Sequence, residues 1–553
     1  MKARKSSEIT ALKLILLFFL LPGNLFSQTR GLKTITGKEL RYHLEFLGSR
    51  EFRGREFPSP ELDIATLYFA NWARDAGLKP VMPDGSYYQQ VPVTVTTVFQ
   101  PGTKLTLHGT NGERSWYYGK GLGGNFTSGG SYTGSVVFAG LGISDPAKGW
   151  DDTGDLDLRG KIVIILDALR PGEVMPTGPY YYFRLNNTIS SLRNRGASAV
   201  LSVVDPEREA KLRSGFNIFG DIPSGKMDIL YDSQKTDFSV PKFAEARPPA
   251  APFGQAEISH EAAAGILGIT TGEIAGMFDS IKHGERVAAR KLDDVWLRLD
   301  VTVETTRTSS RNVLAMVEGT DPVLKNEYIV VCGHPDGLGL REGEVLPGAD
   351  DNCTASVALI SIARALLAER TKRSVIIAWF TGEEKMMNGS HYFINNCPVA
   401  VQKISACLNM DMIGRNSTDS LYLVASDLLS SELDESIRRV SRKSGLNFGF
   451  DYRYSNLTNP EQVYFRSDHF PFVRFGIPSV WYFSGFTPDY HSPRDGTGAI
   501  NWEKFLRITK LVYLTAADIG NKKEMLKLDV NPKVTSRGSQ NMQEPSLYKF
   551  GWK

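Results

Sequence analysis

YIVVCGH, residues 328–334, is an almost unbroken apolar run that ends on a glycine and a histidine. A strand with one wet face alternates apolar and polar residues. A run without alternation is covered on both faces, as strands are when helices pack on either side of a sheet. The same texture returns in NVLAMVEG (312–319), SVIIAWF (374–380), ISACLNMDMIG (404–414) and IPSVWYF (477–483). Helical patterns fall between or after them, over Ala355 to Arg370, Leu429 to Ser444 and Phe505 to Ile519. Alternation of this kind predicts an α/β fold: three layers, with a mostly parallel central sheet between helices. Ligands of such sheets gather at the carboxyl ends of the strands.

Those ends carry the charged residues. His334 and Asp336 follow YIVVCG, Glu383 and Glu384 follow SVIIAWFTG, and Asp411 follows ACLNM. His491 and Asp495 follow the last strand and a loop, while Asp350 and Asp351, in PGADDNCTAS (347–356), precede a helix. Each has an ordinary reading alone; paired acids before a helix, for example, suit its N-terminal dipole. Their coincidence at the exits of different strands of one sheet points to divalent metal. Neighbouring carboxylates are costly to dehydrate unless a cation lies among them. Two His and three carboxylates supply the N and O ligands typical of catalytic zinc, and one carboxylate can bridge two ions. Asp336 and Asp495, close in sequence to the two His, suit acceptors that fix an imidazole's tautomer. The doubled Glu allows one ligand and one general base.

In order, HPDGLG, PGADDN, GEE, NMDMIG and YHSPRD resemble the motifs of the co-catalytic zinc aminopeptidases of metallopeptidase family M28. LEFLGSREFRGRE and DAGLKP are similar to that family's N-terminal region, and the stretch around LRGKIVIIL and RNRGASAVL resembles a protease-associated (PA) domain. The resemblance implies two Zn2+ ions and peptide substrates cleaved at a free amino terminus. It implies His334 and Asp411 on one zinc, Glu384 and His491 on the other, Asp350 bridging, and Glu383 as general base. Asp351 becomes a structural neighbour, and Tyr490 and Arg466 contribute to oxyanion or peptide binding. Pro335 and Gly337 depart from the family's first motif, and Cys353 follows Asn352 where a small residue is common. Similar folds also act as carboxypeptidases, dipeptidases or one-zinc glutaminyl cyclases, or serve as non-catalytic binding proteins.

At 553 residues the chain exceeds one simple domain. The expected organisation is a signal peptide over 1–27, an N-terminal peptidase part over 28–99, an inserted PA-like α/β domain over 100–305, the zinc peptidase domain over 306–525 and a tail over 526–553. Lys2, Arg4 and Lys5, then the apolar run from Leu14 to Leu21 and the small Ser27, have the layout of a secretory signal. The run is too short to span a bilayer, so export to the periplasm or the medium without a stable membrane anchor is expected. A net charge of +3 gives no basis for nucleic acid as partner, and composition sets no oligomeric state. The four Cys are expected to be buried free thiols. From Lys38 to Gly77 the pattern is helical, with Ile64, Leu67, Tyr68, Trp72 and Ala73 on one face, and SYYQQVPVTVTTV (86–98) alternates like a strand. His391 and His469 are assigned no ligand role.

Overall fold

The computed structural model describes residues 28–530 and 537, apart from 174–179, 207–235, 240–252, 457–462 and shorter stretches. The expected signal peptide and most of the expected tail lie outside the described residues.

The apolar runs become strands β1 (Tyr88–Val98), β2 (Val303–Val317), β3 (Tyr328–Gly333), β4 (Ser374–Trp379), β5 (Ile404–Met410), β6 (Ser420–Val424), β7 (Gly449–Asp451) and β8 (Ser479–Phe483). They lie in one sheet in the order β1-β2-β4-β3-β5-β8-β6-β7. The central four, β4, β3, β5 and β8, are mutually parallel. The joins to the flanks, β2 with β4 and β8 with β6, are antiparallel. Parallel strands and crossover helices therefore put four strand exits along one edge of the sheet.

Both faces are covered, as the unalternating runs require. Ile329 and Val331 of β3 face one apolar cluster, while Val330 and Cys332 face the other. The first cluster holds α1 (Gly37–Leu47), α2 (Pro60–Asp75), α3 (Thr354–Ala368), α5 (Ser431–Lys443) and α7 (Trp502–Gly520). The second holds α4 (Asn388–Asn395) and α6 (His469–Arg474). Helix α3 is buried around most of its circumference, which explains its scarcity of polar positions.

Helix α2 starts where Ser59 accepts the Leu62 N–H and Pro60 occupies the first turn. Its buried face is not the expected one. Leu62, Ala65, Phe69, Ala70 and Ala73 are buried, whereas Ile64 and Leu67 are 55% and 46% exposed. Small residues let the helix sit close to the sheet, and Phe69 stacks on Trp379 with centroids 5.0 Å apart. Two apolar stripes overlap in this sequence, and close approach selects the one with less bulk.

The middle segment closes into a barrel with its own core. Gly130–Phe138, Ile162–Asp167, Ala199–Val204 and Gly254–Ile258 run parallel. Arg290–Val301 pairs antiparallel with Gly130–Phe138 and with Lys104–Gly109, completing the closure. The chain leaves the central sheet after β1 and returns at β2, with Val98 and Val303 register partners. All four Cys are free thiols; Cys332, Cys353 and Cys407 are buried and Cys397 is partly so.

Candidate metal centre

His334 is the first residue past β3 and Asp411 the first past β5; Glu383 and Glu384 follow β4 within a few residues. Parallel pairing alone brings these exits together. The two remaining segments enter from loops: the acid pair before α3, and His491 after β8.

The side chains converge as two groups. In one, His334 Nε2 lies 3.5 Å from Asp411 Oδ1 and 3.7 Å from Glu383 Oε2. In the other, His491 Nε2 lies 3.0 Å from Asp351 Oδ2 and 3.4 Å from Glu384 Oε2. Within each group the ligand-type atoms all lie within 4.8 Å of one another. Asp351 joins the groups, because its Oδ1 is 3.7 Å from His334 Nε2.

Asp351, not Asp350, is therefore the carboxylate between the two His, which corrects the expectation from the doublet. Adjacent residues point in different directions, and here the backbone turns Asp350 away. Its Oδ1 accepts the Gly414 N–H at 2.6 Å and lies 3.4 Å from the Thr354 hydroxyl. The Asp350 charge also faces buried Lys504, whose pKa burial lowers to about 8 against that attraction. Asp351 is accordingly no mere structural neighbour.

Asp336 has a supporting place. Its two oxygens accept the N–H groups of Glu383 and Glu384, each at 3.2 Å, and Oδ1 is 3.7 Å from His334 Nδ1. Asp495 differs from expectation: it accepts the N–H groups of Asp350 and Asp351, each at 3.1 Å. It thus orients the acid loop rather than His491. Arg466 Nη2 donates to the Tyr490 hydroxyl at 3.1 Å, and the Tyr490 ring stacks on His491 with centroids 3.7 Å apart. Both residues flank the second group. His391 and His469 are buried elsewhere, and burial holds each near pKa 3.

Ser467 was not anticipated. Its hydroxyl donates to Asp411 Oδ2 at 2.7 Å and accepts from Asn409 Nδ2 at 2.8 Å. Asn352 ties the same region, donating to Met410 O and accepting the Met412 N–H. Asn352 adjoins the acid doublet and was open to notice; Ser467 sits at no strand exit.

The electrostatics call for a cation. Among the described residues, His334 Nε2, Asp411 Oδ1, Glu384 Oε1 and His491 Nε2 are buried with no hydrogen-bond partner, a costly state for polar atoms. For the protein groups alone, burial lifts Glu383 well above the usual carboxylate range against the pull of His334. Burial and the Glu384 charge push Asp351 to about 7. Burial would lower His491, but Glu384 and Asp351 hold it at about 9. Protons thus stand where a divalent ion would neutralise the same carboxylates. N and O donors in these numbers fit zinc.

Residues 312–516 match the model of Peptidase family M28. A protein named probable leucine aminopeptidase 2, from Aspergillus oryzae, is 24% identical over 355 residues, which cover 60% of this chain and 66% of that one. Across the first relatives matched, the chain spans 52% to 66% of their length. In structure the chain is similar to the aminopeptidase from Aneurinibacillus sp. strain AM-1, with TM-score 0.54 and 18% identity over 91% of this chain and 98% of that one. It is also similar to a zinc aminopeptidase from Bacillus subtilis, with TM-score 0.51 and 17% identity over 90% and 99% of the two chains. At these identities the structural likeness establishes the fold.

Proposed function

Because residues 312–516 belong to peptidase family M28, we propose that this chain is an exported two-zinc exopeptidase that removes N-terminal residues from peptides. The observation that carries the reading is Asp351, set between His334 and His491 with one oxygen toward each. Shared in this way, Asp351 with His334 and Asp411 forms one set of three protein ligands. With Glu384 and His491 it forms the other, and three is the number that catalytic zinc takes from protein. Glu383 is then left over as the base.

Zinc ions held there would polarise the scissile carbonyl and lower the pKa of an attacking water. Glu383 accepts a proton from that water and returns it to the leaving amine as the C–N bond breaks. The Tyr490 hydroxyl accepts from Arg466, so its own proton is available to the oxyanion of the tetrahedral intermediate. The terminus bound in this reading is the α-amine of a peptide rather than its α-carboxylate. Arg466, which an acid-binding pocket would need, is engaged by Tyr490. Likeness to the Aspergillus oryzae leucine aminopeptidase supports the same polarity.

Aminoacyl-nitroanilides assayed beside N-acetylated and C-terminal substrates, with and without chelator, test the activity. Turnover confined to free N-termini and abolished by chelator is expected; chelator-resistant turnover refutes the reading. Glu383→Gln is expected to keep its zinc while kcat falls roughly 10²- to 10⁴-fold, and a fully active variant removes Glu383 as base. Export rests on the basic and apolar pattern of residues 2–21, and a mature N-terminus near Gln28 in the exported fraction is its check. LRGKIVIIL and RNRGASAVL support reading the insert as PA-like.

A further inference from the structure

Arg55 lies outside every catalytic motif, yet it is among the largest fully buried side chains, with 1% exposure. Its guanidinium hydrogen-bonds four backbone carbonyls. Nε donates to Pro335 O at 2.8 Å, and Nη1 donates to Leu47 O at 2.9 Å and to Pro347 O at 3.0 Å. Nη2 donates to Gly348 O at 3.0 Å. Pro335 follows His334 directly, and Pro347 and Gly348 lead into Asp351. One rigid group is thus bonded to both ligand loops at once.

The backbone around it is wedged between the same two loops. Gly337 N–H donates to Arg55 O and Gly339 N–H to Gly54 O, each at 3.2 Å. A Cβ at residue 54 would lie 2.4 Å from Leu346 O and 2.6 Å from Gly339 O, so only glycine permits this approach. Gly348 has φ +56, and a Cβ there would lie 2.2 Å from Asp351 O. The two loops and the Gly54–Arg55 segment therefore fit one another with little freedom.

We propose that Arg55 is a positioning residue that fixes the spacing between the His334 loop and the Asp351 loop, and thereby sets the affinity of the metal centre. The proposal rests on the metallopeptidase reading above. A guanidinium is suited to the task because its five donors lie in one plane, and four are used here. A lysine has three donors on a flexible stem and does not reproduce that planar set. Supporting groups of this kind typically change metal affinity roughly 10- to 100-fold.

Zinc affinity, measured by competition with a chromogenic chelator, tests it in the full-length protein as wild type, Arg55→Lys and Arg55→Met. Arg373→Lys is the control. Arg373 is equally buried and also bonds carbonyls, those of Ile519, Lys522 and Lys523, but no ligand loop. Both Arg55 variants are expected to bind zinc roughly 10- to 100-fold more weakly and to show a smaller zinc-induced rise in melting temperature. Arg373→Lys is expected to melt lower with its zinc affinity unchanged. Wild-type affinity in a folded Arg55→Lys overturns the proposal. So does failure of both Arg55 variants to fold with zinc present while Arg373→Lys folds, since the residue then serves the fold as a whole. A wild-type protein that takes up no zinc overturns the metal-centre reading itself, and this proposal with it.

Discussion

At the scale of single residues, Asp351 is the member of the acid doublet that has an imidazole near each oxygen. One oxygen is 3.0 Å from His491 Nε2 and the other 3.7 Å from His334 Nε2, while burial and Glu384 push its pKa to about 7. Removing its charge leaves each group with two protein ligands. Asp351→Asn is therefore expected to purify with less than half the wild-type zinc, by elemental analysis. Asp350→Asn is expected to retain full zinc and lose only stability, because its carboxylate serves the Gly414 N–H and faces Lys504. The opposite pattern would return the bridging role to Asp350. The doublet as a sequence could not make this choice. Both acids precede α3, both are buried, and the selection rests on the backbone dihedrals of Gly348 to Asn352. The strand-exit residues were legible because a strand's end fixes where its next side chain goes. Ser467 was not, because its contact with Asp411 crosses 56 positions of sequence.

At the scale of elements, legibility followed burial. β3, β4, β5 and β8 are buried almost throughout, and unalternating apolar runs announce that state directly. Helix α2 was harder, since its core face depends on how closely the sheet lets it approach. Helix α4 carries a further consequence. His391 on it is buried, and burial, then Arg474, lowers its pKa to about 3. The unfolded chain's histidine titrates near 6.5, so below that pH the unfolded state takes up a proton that the folded state refuses. This contribution to stability is complete above about pH 6.5 and is lost as the pH falls toward 3, at about 1.4 kcal/mol per pH unit. A His391→Gln variant lacks this term. In denaturant titrations between pH 7 and pH 5, wild type is expected to lose about 2 kcal/mol more than the variant. Parallel losses in the two proteins would mean that His391 is charged in the folded state.

At the scale of the whole molecule, Ile162–Asp167 and Ala199–Val204 of the middle segment run parallel with the helix Tyr180–Asn194 between them, as part of a closed barrel. Its closure was not legible, because Arg290–Val301 reaches back to Gly130–Phe138 and Lys104–Gly109 across more than a hundred residues. Local periodicity carries no trace of such pairing. The way the barrel is attached leads to a prediction about autonomy. Val98 and Val303 are register partners, and Phe99 N–H donates to Thr302 O at 2.9 Å, so the excursion begins and ends on adjacent strand positions. The barrel has its own apolar core, as a unit able to fold by itself should. An Asn-Gly turn replacing residues 99–302 would close β1 and β2 as a two-residue hairpin. The shortened chain is expected to fold and to bind zinc with unchanged affinity, since the six residues of the two groups lie outside the excised part. Excision also removes Thr236–Ser239, which pairs with Thr94 to Thr97 of β1. A bare strand edge invites association, so concentration-dependent oligomers by light scattering are expected, relieved by a charged residue at Thr96. Loss of zinc binding in a folded, monomeric shortened chain would show instead that the barrel helps to hold the centre together.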